Sequence, residues 1–177
     1  MTYPLVEFAF GAMRPRTCWY VIRGGRAMSQ VSLAIIGCGG MTGTHAKGLT
    51  ELGDILQVKA TVDIVKERAE KAAEFFPGAK AATDYRDVLD DVEAVLIVLP
   101  HHLHHPVAKE CLEAGKHVLL EKPMANRIED VLEMVQEAEK HPNLVSQVGQ
   151  VLRFVRQYAA IKRLVDSGFF GEIAYLE

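Results

Sequence analysis

The sequence predicts an α/β protein built on a doubly wound parallel sheet, and three observations carry that prediction. From Val31 onward, short β-branched apolar runs alternate with segments of helical period. One run, Val92 to Leu99 (VEAVLIVL), is almost continuously apolar, the mark of a strand buried on both faces. The first run, Val31 to Ile36, empties into a turn with four glycines in seven residues, Gly37 to Gly43, and a helical segment follows. Right-handed crossovers between such strands place helices on both faces of one sheet.

Each element has its own signal. The segment from Thr44 to Leu52 reads as the first helix, and Leu56 to Asp63 (LQVKATVD) as a second strand ending in an acid. Val65 to Phe76 carries apolar residues at 65, 69, 72, 73 and 76, a helical stripe stopped by Pro77-Gly78. Ala79 to Ala82 is a short third strand, and Asp84 is placed to cap a single turn through Leu89. After the Val92 to Leu99 strand come a helix from His105 to Ala114, stopped at Gly115, and a strand from His117 to Leu120. Asn126 is a candidate cap for the helix Ile128 to Lys140. Strand Leu144 to Val148, helix Val155 to Val165 and a strand-like Glu172 to Glu177 complete the chain. An unpaired strand near Ile173 to Leu176 is expected to be an aggregation-prone edge.

Composition narrows the possibilities. The chain has 177 residues, 49% hydrophobic and 24% charged, enough for one domain of ordinary size with a core. A net charge of −3 argues against a general nucleic-acid or anionic-membrane binder. Cys18, Cys38 and Cys111 show neither metal-ligand spacing nor a disulfide framework, which points to a reducing, cytoplasmic compartment. No run approaches the ~20 apolar residues that span a bilayer. Residues 1–28 stand apart, with Arg14, Arg16, Arg23 and Arg26 against one acid, Glu7, and no sustained period. They lack the order of a secretory signal, and their Arg-rich, acid-poor make-up resembles a transit peptide. The plainer reading is upstream sequence ahead of a domain that opens at Met28-Ser29-Gln30; poor packing or disorder is expected over this leader.

The glycine turn carries the first chemistry. A buried parallel strand that ends at a helix N-terminus presents unpaired amides and the positive end of the helix dipole to one spot, which suits a phosphate. Glycines let the main chain turn tightly and let a pyrophosphate approach. The dinucleotide fingerprint G-x-G-x-x-G/A falls on Gly37, Gly39 and position 42, which is Thr42; Gly43 comes one place late. Thr42 is expected either to tilt the helix or to turn its hydroxyl toward the ligand. A glycine turn with no ligand is the competing reading. Asp63 lies 24 residues beyond Gly39, near the ~20 expected for the carboxylate that takes the adenosine ribose hydroxyls. An acid there repels a 2′-phosphate, and no cation follows before Lys66, so NAD is favoured over NADP. Asp63 as a helix N-cap is compatible with that role.

Ligands of such sheets sit beyond the carboxyl ends of the strands. The fourth strand exits into Leu99-Pro100-His101-His102-Leu103-His104-His105. Four histidines in five residues invite a metal, but adjacent side chains do not converge readily on one ion and no acid or cysteine joins them. No metal is expected. Instead His101 and His104 are expected to face a cofactor, with His102 and His105 partly solvated or capping the next helix. The fifth strand exits into Glu121-Lys122-Pro123. Pro123 disfavours the α region for Lys122 and holds it extended at the cleft mouth. An ammonium there can donate to a substrate hydroxyl and favour developing alkoxide charge; a solvated surface lysine is the alternative.

Together Ile35-Ile36-Gly37-Cys38-Gly39-Gly40-Met41, Leu99-Pro100-His101-His102-Leu103-His104, Ala114-Gly115-Lys116-His117-Val118-Leu119-Leu120-Glu121-Lys122-Pro123 and Leu152-Arg153-Phe154 resemble the glucose–fructose oxidoreductase/inositol dehydrogenase/rhizopine-catabolism (Gfo/Idh/MocA) family. The resemblance runs over roughly Val31 to Glu177, and the A-G-K-H-V-L-x-E-K-P run is its most specific part. It implies a Rossmann-type cofactor domain over 29–150 and an NAD(P)-dependent oxidoreductase acting on a sugar, cyclitol or related polyol. It implies a cofactor site of Gly37, Cys38, Gly39, Gly40, Met41, Thr42, Asp63, Leu99, Pro100, His101, His104, Glu121 and Lys122, with Lys122 also touching the reacting hydroxyl as the catalytic candidate.

Three departures follow. Thr42 stands where the family usually has Gly or Ala, and His101 where it often has Asn. The family's second α+β domain, which supplies the substrate pocket, a homo-oligomer interface and an Asp-x-x-x-His-type acid/base pair, is expected to be missing or only begun, with 151–177 as a linker helix and a first strand. An NAD-binding sensor or regulatory module without catalysis is the reading from a different class.

Overall fold

The computed structural model describes residues 30–175. The leader over 1–28, with Cys18, lies outside the described residues, as do Leu176 and Glu177. Six strands form one parallel sheet in the order β3-β2-β1-β4-β5-β6: β1 Val31–Ile36, β2 Leu56–Val62, β3 Lys80–Ala82, β4 Ala94–Ile97, β5 His117–Leu120 and β6 Ser146–Val148. The helices are α1 Gly40–Glu51, α2 Lys66–Ala73, α3 His104–Glu113, α4 Ile128–Lys140 and α5 Arg156–Asp166. Strand order reverses direction between β1 and β4, so a crevice opens above their carboxyl ends.

Side-chain alternation feeds both faces. Ala34 and Ile36 of β1 join Val95 and Ile97 of β4 in the larger cluster, with Val107, Ala108, Cys111 and Leu112 from α3 and Met134 from α4. Leu33 and Ile35 turn the other way, to Ala46 of α1, Val58, Phe76 and Leu96. Fully buried Ile35, Ile36, Leu96 and Ile97 each contribute about 1.5–3 kcal/mol of transfer free energy.

One irregularity sits in β2. Leu33 pairs with Val58 but Ala34 pairs with Ala60, so Lys59 has no partner on β1. Side-chain parity flips across it: Val58 belongs to the α1 face, Ala60 and Val62 to the α3 face.

The doubly wound sheet matches the sequence reading, and β1, β5 and α4 match it residue for residue. Other bounds differ. The first helix begins at Gly40, not Thr44, because Gly40 and Gly43 take helical backbone despite their poor helix propensity. The second helix covers only Lys66–Ala73, with Phe76 buried from the turn beyond it. β4 is shorter than its apolar run, and a 3-10 turn, His101–Leu103, precedes α3. Asn126 does not cap α4; Arg127 holds that position with extended backbone and no side-chain cap. Asp84 does accept from the Arg86 amide ahead of the 3-10 turn Tyr85–Asp91. The expected terminal strand is not formed over 172–175. No helix among the described residues is long and apolar enough to cross a membrane.

Candidate cofactor cleft

Gly37 begins the site. Its φ of +98° suits glycine, its amide donates to the Val62 carbonyl at 2.7 Å, and its Cα lies against the Val98 backbone. The next amide, on Cys38, donates to Asp63 Oδ2 at 2.9 Å, and Asp63 Oδ1 accepts from Val65 at 2.9 Å. Asp63 is therefore docked against the glycine loop. It is not the N-cap of α2, a position that Val65 occupies. Each carboxylate oxygen keeps a lone pair for another donor. The Cys38 thiol donates to the Val62 carbonyl, and burial, with Asp63 nearby, pushes it up to about 12, so it stays protonated.

Gly39 caps α1 in extended conformation, and its carbonyl accepts from the Thr42 amide at 3.1 Å. The first turn of a helix leaves its amides without intrahelical acceptors; here Gly39, Gly40 and Met41, at the start of α1, line a cleft. A Cβ built on Gly39 or Gly40 meets nothing within 4 Å, in contrast to Gly37. Nothing in the chain's own packing asks for glycine at 39 and 40. A cradle kept free of side chains fits a group that approaches the backbone itself, as a pyrophosphate does.

The Thr42 side chain turns inward and not toward the cleft. Its buried hydroxyl donates to the Gly37 carbonyl at 2.8 Å, fastening the loop to the first turn. A bond of this kind contributes about 1 kcal/mol.

The cleft, about 280 Å³, brings together Gly39, Gly40, Met41, Val98, Leu99, Pro100, His101, Glu121 and Lys122. Three strand exits thus converge, those of β1, β4 and β5. Lys122 is exposed at the mouth and its bond to Pro123 is cis. Glu121 is nearly buried; its Oε2 accepts from the Lys122 amide at 3.0 Å and its Oε1 lies 2.8 Å from His45 Nε2.

The histidines separate. His101 lines the cleft and meets His104 edge-on, ring centres 5.5 Å apart. His104 does not face the cleft as expected, because it is fully buried: Nδ1 lies 2.7 Å from the Pro123 carbonyl and Nε2 2.9 Å from the Leu99 carbonyl. A singly protonated ring donates to one of these acceptors and a doubly protonated ring to both. It latches the β4 exit to the β5 exit. Replacing His104 by leucine is expected to lower stability by about 1–3 kcal/mol through carbonyls left without a donor, seen as an earlier urea midpoint. An unchanged midpoint would show that His104 does not latch the two exits. His102 is exposed, and His105 sits between α3 and α4, 3.2 Å from Glu133.

His45 is the residue the sequence reading missed. The signal was present: Thr42, His45, Ala46 and Leu49 form one inward stripe at helical spacing, and His45 is its only titratable member. Starting the helix at Thr44 hid the stripe.

Known proteins share the sequence pattern and the fold. The chain is 34% identical over 148 residues to an inositol 2-dehydrogenase of Mycolicibacterium smegmatis, covering 82% of this chain and 43% of that protein. It is 35% identical over 146 residues to one from Corynebacterium glutamicum, covering 81% and 43%. The chain thus spans less than half the length of these curated relatives. A scyllo-inositol dehydrogenase from Lactobacillus casei, solved with NAD(H) and scyllo-inositol, superposes with a TM-score of 0.75 at 30% identity, over 82% of this chain and 43% of that one. A 3-ketoreductase from Actinomadura kijaniata, in complex with NADP and TDP-benzene, gives 0.70 at 27% identity, over 79% and 43%. Residues 31–149 match the profile of an oxidoreductase family with an NAD-binding Rossmann fold, and the chain belongs to that family, Gfo/Idh/MocA.

Proposed function

We propose that this chain binds NAD across the cleft and serves hydride transfer between the nicotinamide and a hydroxyl carbon of a sugar, cyclitol or related polyol. The observation that carries the reading is the docked carboxylate of Asp63 beside the open backbone of Gly39 and Gly40. The amides of Gly39, Gly40 and Met41 would take the pyrophosphate, and Asp63 the adenosine ribose hydroxyls. Leu99, Pro100 and His101 would form one wall of the nicotinamide half, and Glu121 and Lys122 the other. The nicotinamide supplies the hydride acceptor when bound. Lys122, whose ammonium has no ion-pair partner among the described residues, would donate to the reacting hydroxyl and favour its alkoxide character. The inositol dehydrogenases among the relatives support the polyol class.

NAD is preferred to NADP in this reading because the carboxylate stands where a 2′-phosphate would go. Titrating the purified chain with each nucleotide, followed by calorimetry, tests it. NAD is expected to bind at least about tenfold tighter, a difference of 1.4 kcal/mol. Equal affinities, or tighter NADP, would overturn the assignment of Asp63.

A further inference from the structure

The geometry points to His45 as a positioning residue that fixes the Glu121 carboxylate at the border of the nicotinamide half of the cleft, so that the helix binding one end of the dinucleotide sets affinity for the other end. The inference rests on the NAD reading above and adds a residue and a role to it.

The two residues are 76 positions apart and meet across the site. His45 belongs to α1, whose first turn edges the cleft at Gly39 to Met41, and Glu121 to the exit of β5 on the opposite side. No backbone hydrogen bond joins α1 to β5 among the described residues. The His45–Glu121 contact, 2.8 Å with both side chains largely shielded, is the side-chain bridge between them.

Glu121 has a choice of two spaces. It lines the cleft, and it also lines a neighbouring cavity of about 180 Å³, together with His45, Leu119, Gln147, Gly149 and Phe154. Among the described residues its only other hydrogen-bond partner is the Lys122 amide at 3.0 Å, on the adjacent residue. With Oε1 on His45 and Oε2 on Lys122, one carboxylate rotamer is fixed and one lone pair on each oxygen stays available to a ribose hydroxyl. Without His45 the carboxylate loses the partner that fixes Oε1 and is free to turn about its side-chain bonds. Ordering a side chain before binding removes that entropy cost from the binding step.

The adenosine end is separate. Asp63 and the glycine loop, which would engage it, are held in place by bonds that do not involve His45. Loss of His45 should therefore weaken NAD and spare ADP, a split that a general disturbance of α1 would not produce.

The test uses the full chain and its variants His45→Leu and His45→Gln, with NAD and ADP titrated separately by calorimetry and each variant's thermal melt recorded. Glutamine can place an amide nitrogen near the position of the imidazole Nε2. We expect His45→Leu to bind NAD about tenfold more weakly with ADP affinity changed less than twofold, and His45→Gln to stay within about threefold of the parent for both. On a Glu121→Gln background the His45→Leu penalty should shrink to less than twofold. Equal losses for NAD and ADP, no loss for NAD, or a His45→Gln variant as weak as His45→Leu would each overturn the inference while leaving the cofactor reading intact. A parent chain that binds neither nucleotide would overturn the cofactor reading, and this role of His45 with it.

Discussion

Replacing Gly37 by alanine is expected to cost about 3–5 kcal/mol of stability, the largest effect of any single change in the loop. Two penalties combine. The residue has φ +98°, where a side chain is strained, and the new Cβ would land on the Val98 carbonyl, 2.7 Å from its carbon. Val98 is main chain held by its own bond to the Ile36 carbonyl at 2.8 Å, so it cannot retreat cheaply. A urea melt should show the midpoint collapse, with nucleotide binding lost alongside. Gly39→Val separates fold from function at the same loop. Its backbone is ordinary, with φ −81°, and its Cβ has open space, so stability should move by no more than about 1 kcal/mol. NAD affinity should nevertheless fall at least about tenfold, because the side chain would stand where the pyrophosphate approaches. A Gly39→Val chain that binds NAD like its parent would remove the phosphate cradle from the proposal.

The second large effect belongs to Asp63. Alanine there strips the acceptor from two amides, Cys38 and Val65, and removes the carboxylate proposed to take the ribose hydroxyls. Hydrogen bonds to a charged group are worth about 1.5–3 kcal/mol each, so NAD affinity should drop roughly ten- to a hundredfold. NADP should lose far less, since the same change lifts the repulsion on its 2′-phosphate. The informative quantity is the ratio of the two dissociation constants, which cancels any shared loss from a loosened loop. If NAD and NADP weaken by the same factor, Asp63 is a structural clasp and discriminates nothing.

Much of this was written in the residues. The β-branched runs, the glycine turn and the acid after β2 announced the sheet and its crevice, because strand burial and tight backbone turns leave strong local signatures. The apolar run of β4 and the E-K-P exit of β5 led to the right walls of the cleft. What stayed hidden depended on partners distant in the chain. Thr42 could be read as a misfit in the fingerprint, whereas its hydroxyl serves the Gly37 carbonyl, a bond that exists only once the turn has closed. His104 was read with His101 as facing a cofactor; only the Leu99 and Pro123 carbonyls on either side of its ring single it out as a buried latch. The helix start was misplaced since glycine's weak propensity says nothing when a strand exit forces the turn.

The unpaired Lys59 bears on how the acid is found. Because β2 accommodates an additional residue at that point and regains alignment by Ala60, Val62 stands level with Ile36 whether or not the extra residue is there. Excising it would leave the carboxylate docked on the Cys38 amide, with one fewer residue counted from the loop. The interval between glycines and acid is thus elastic by a residue, while the alignment of the final three rungs is rigid. A relative sharing this chemistry is better sought by the level at which its acid ends the strand than by any fixed count of intervening residues.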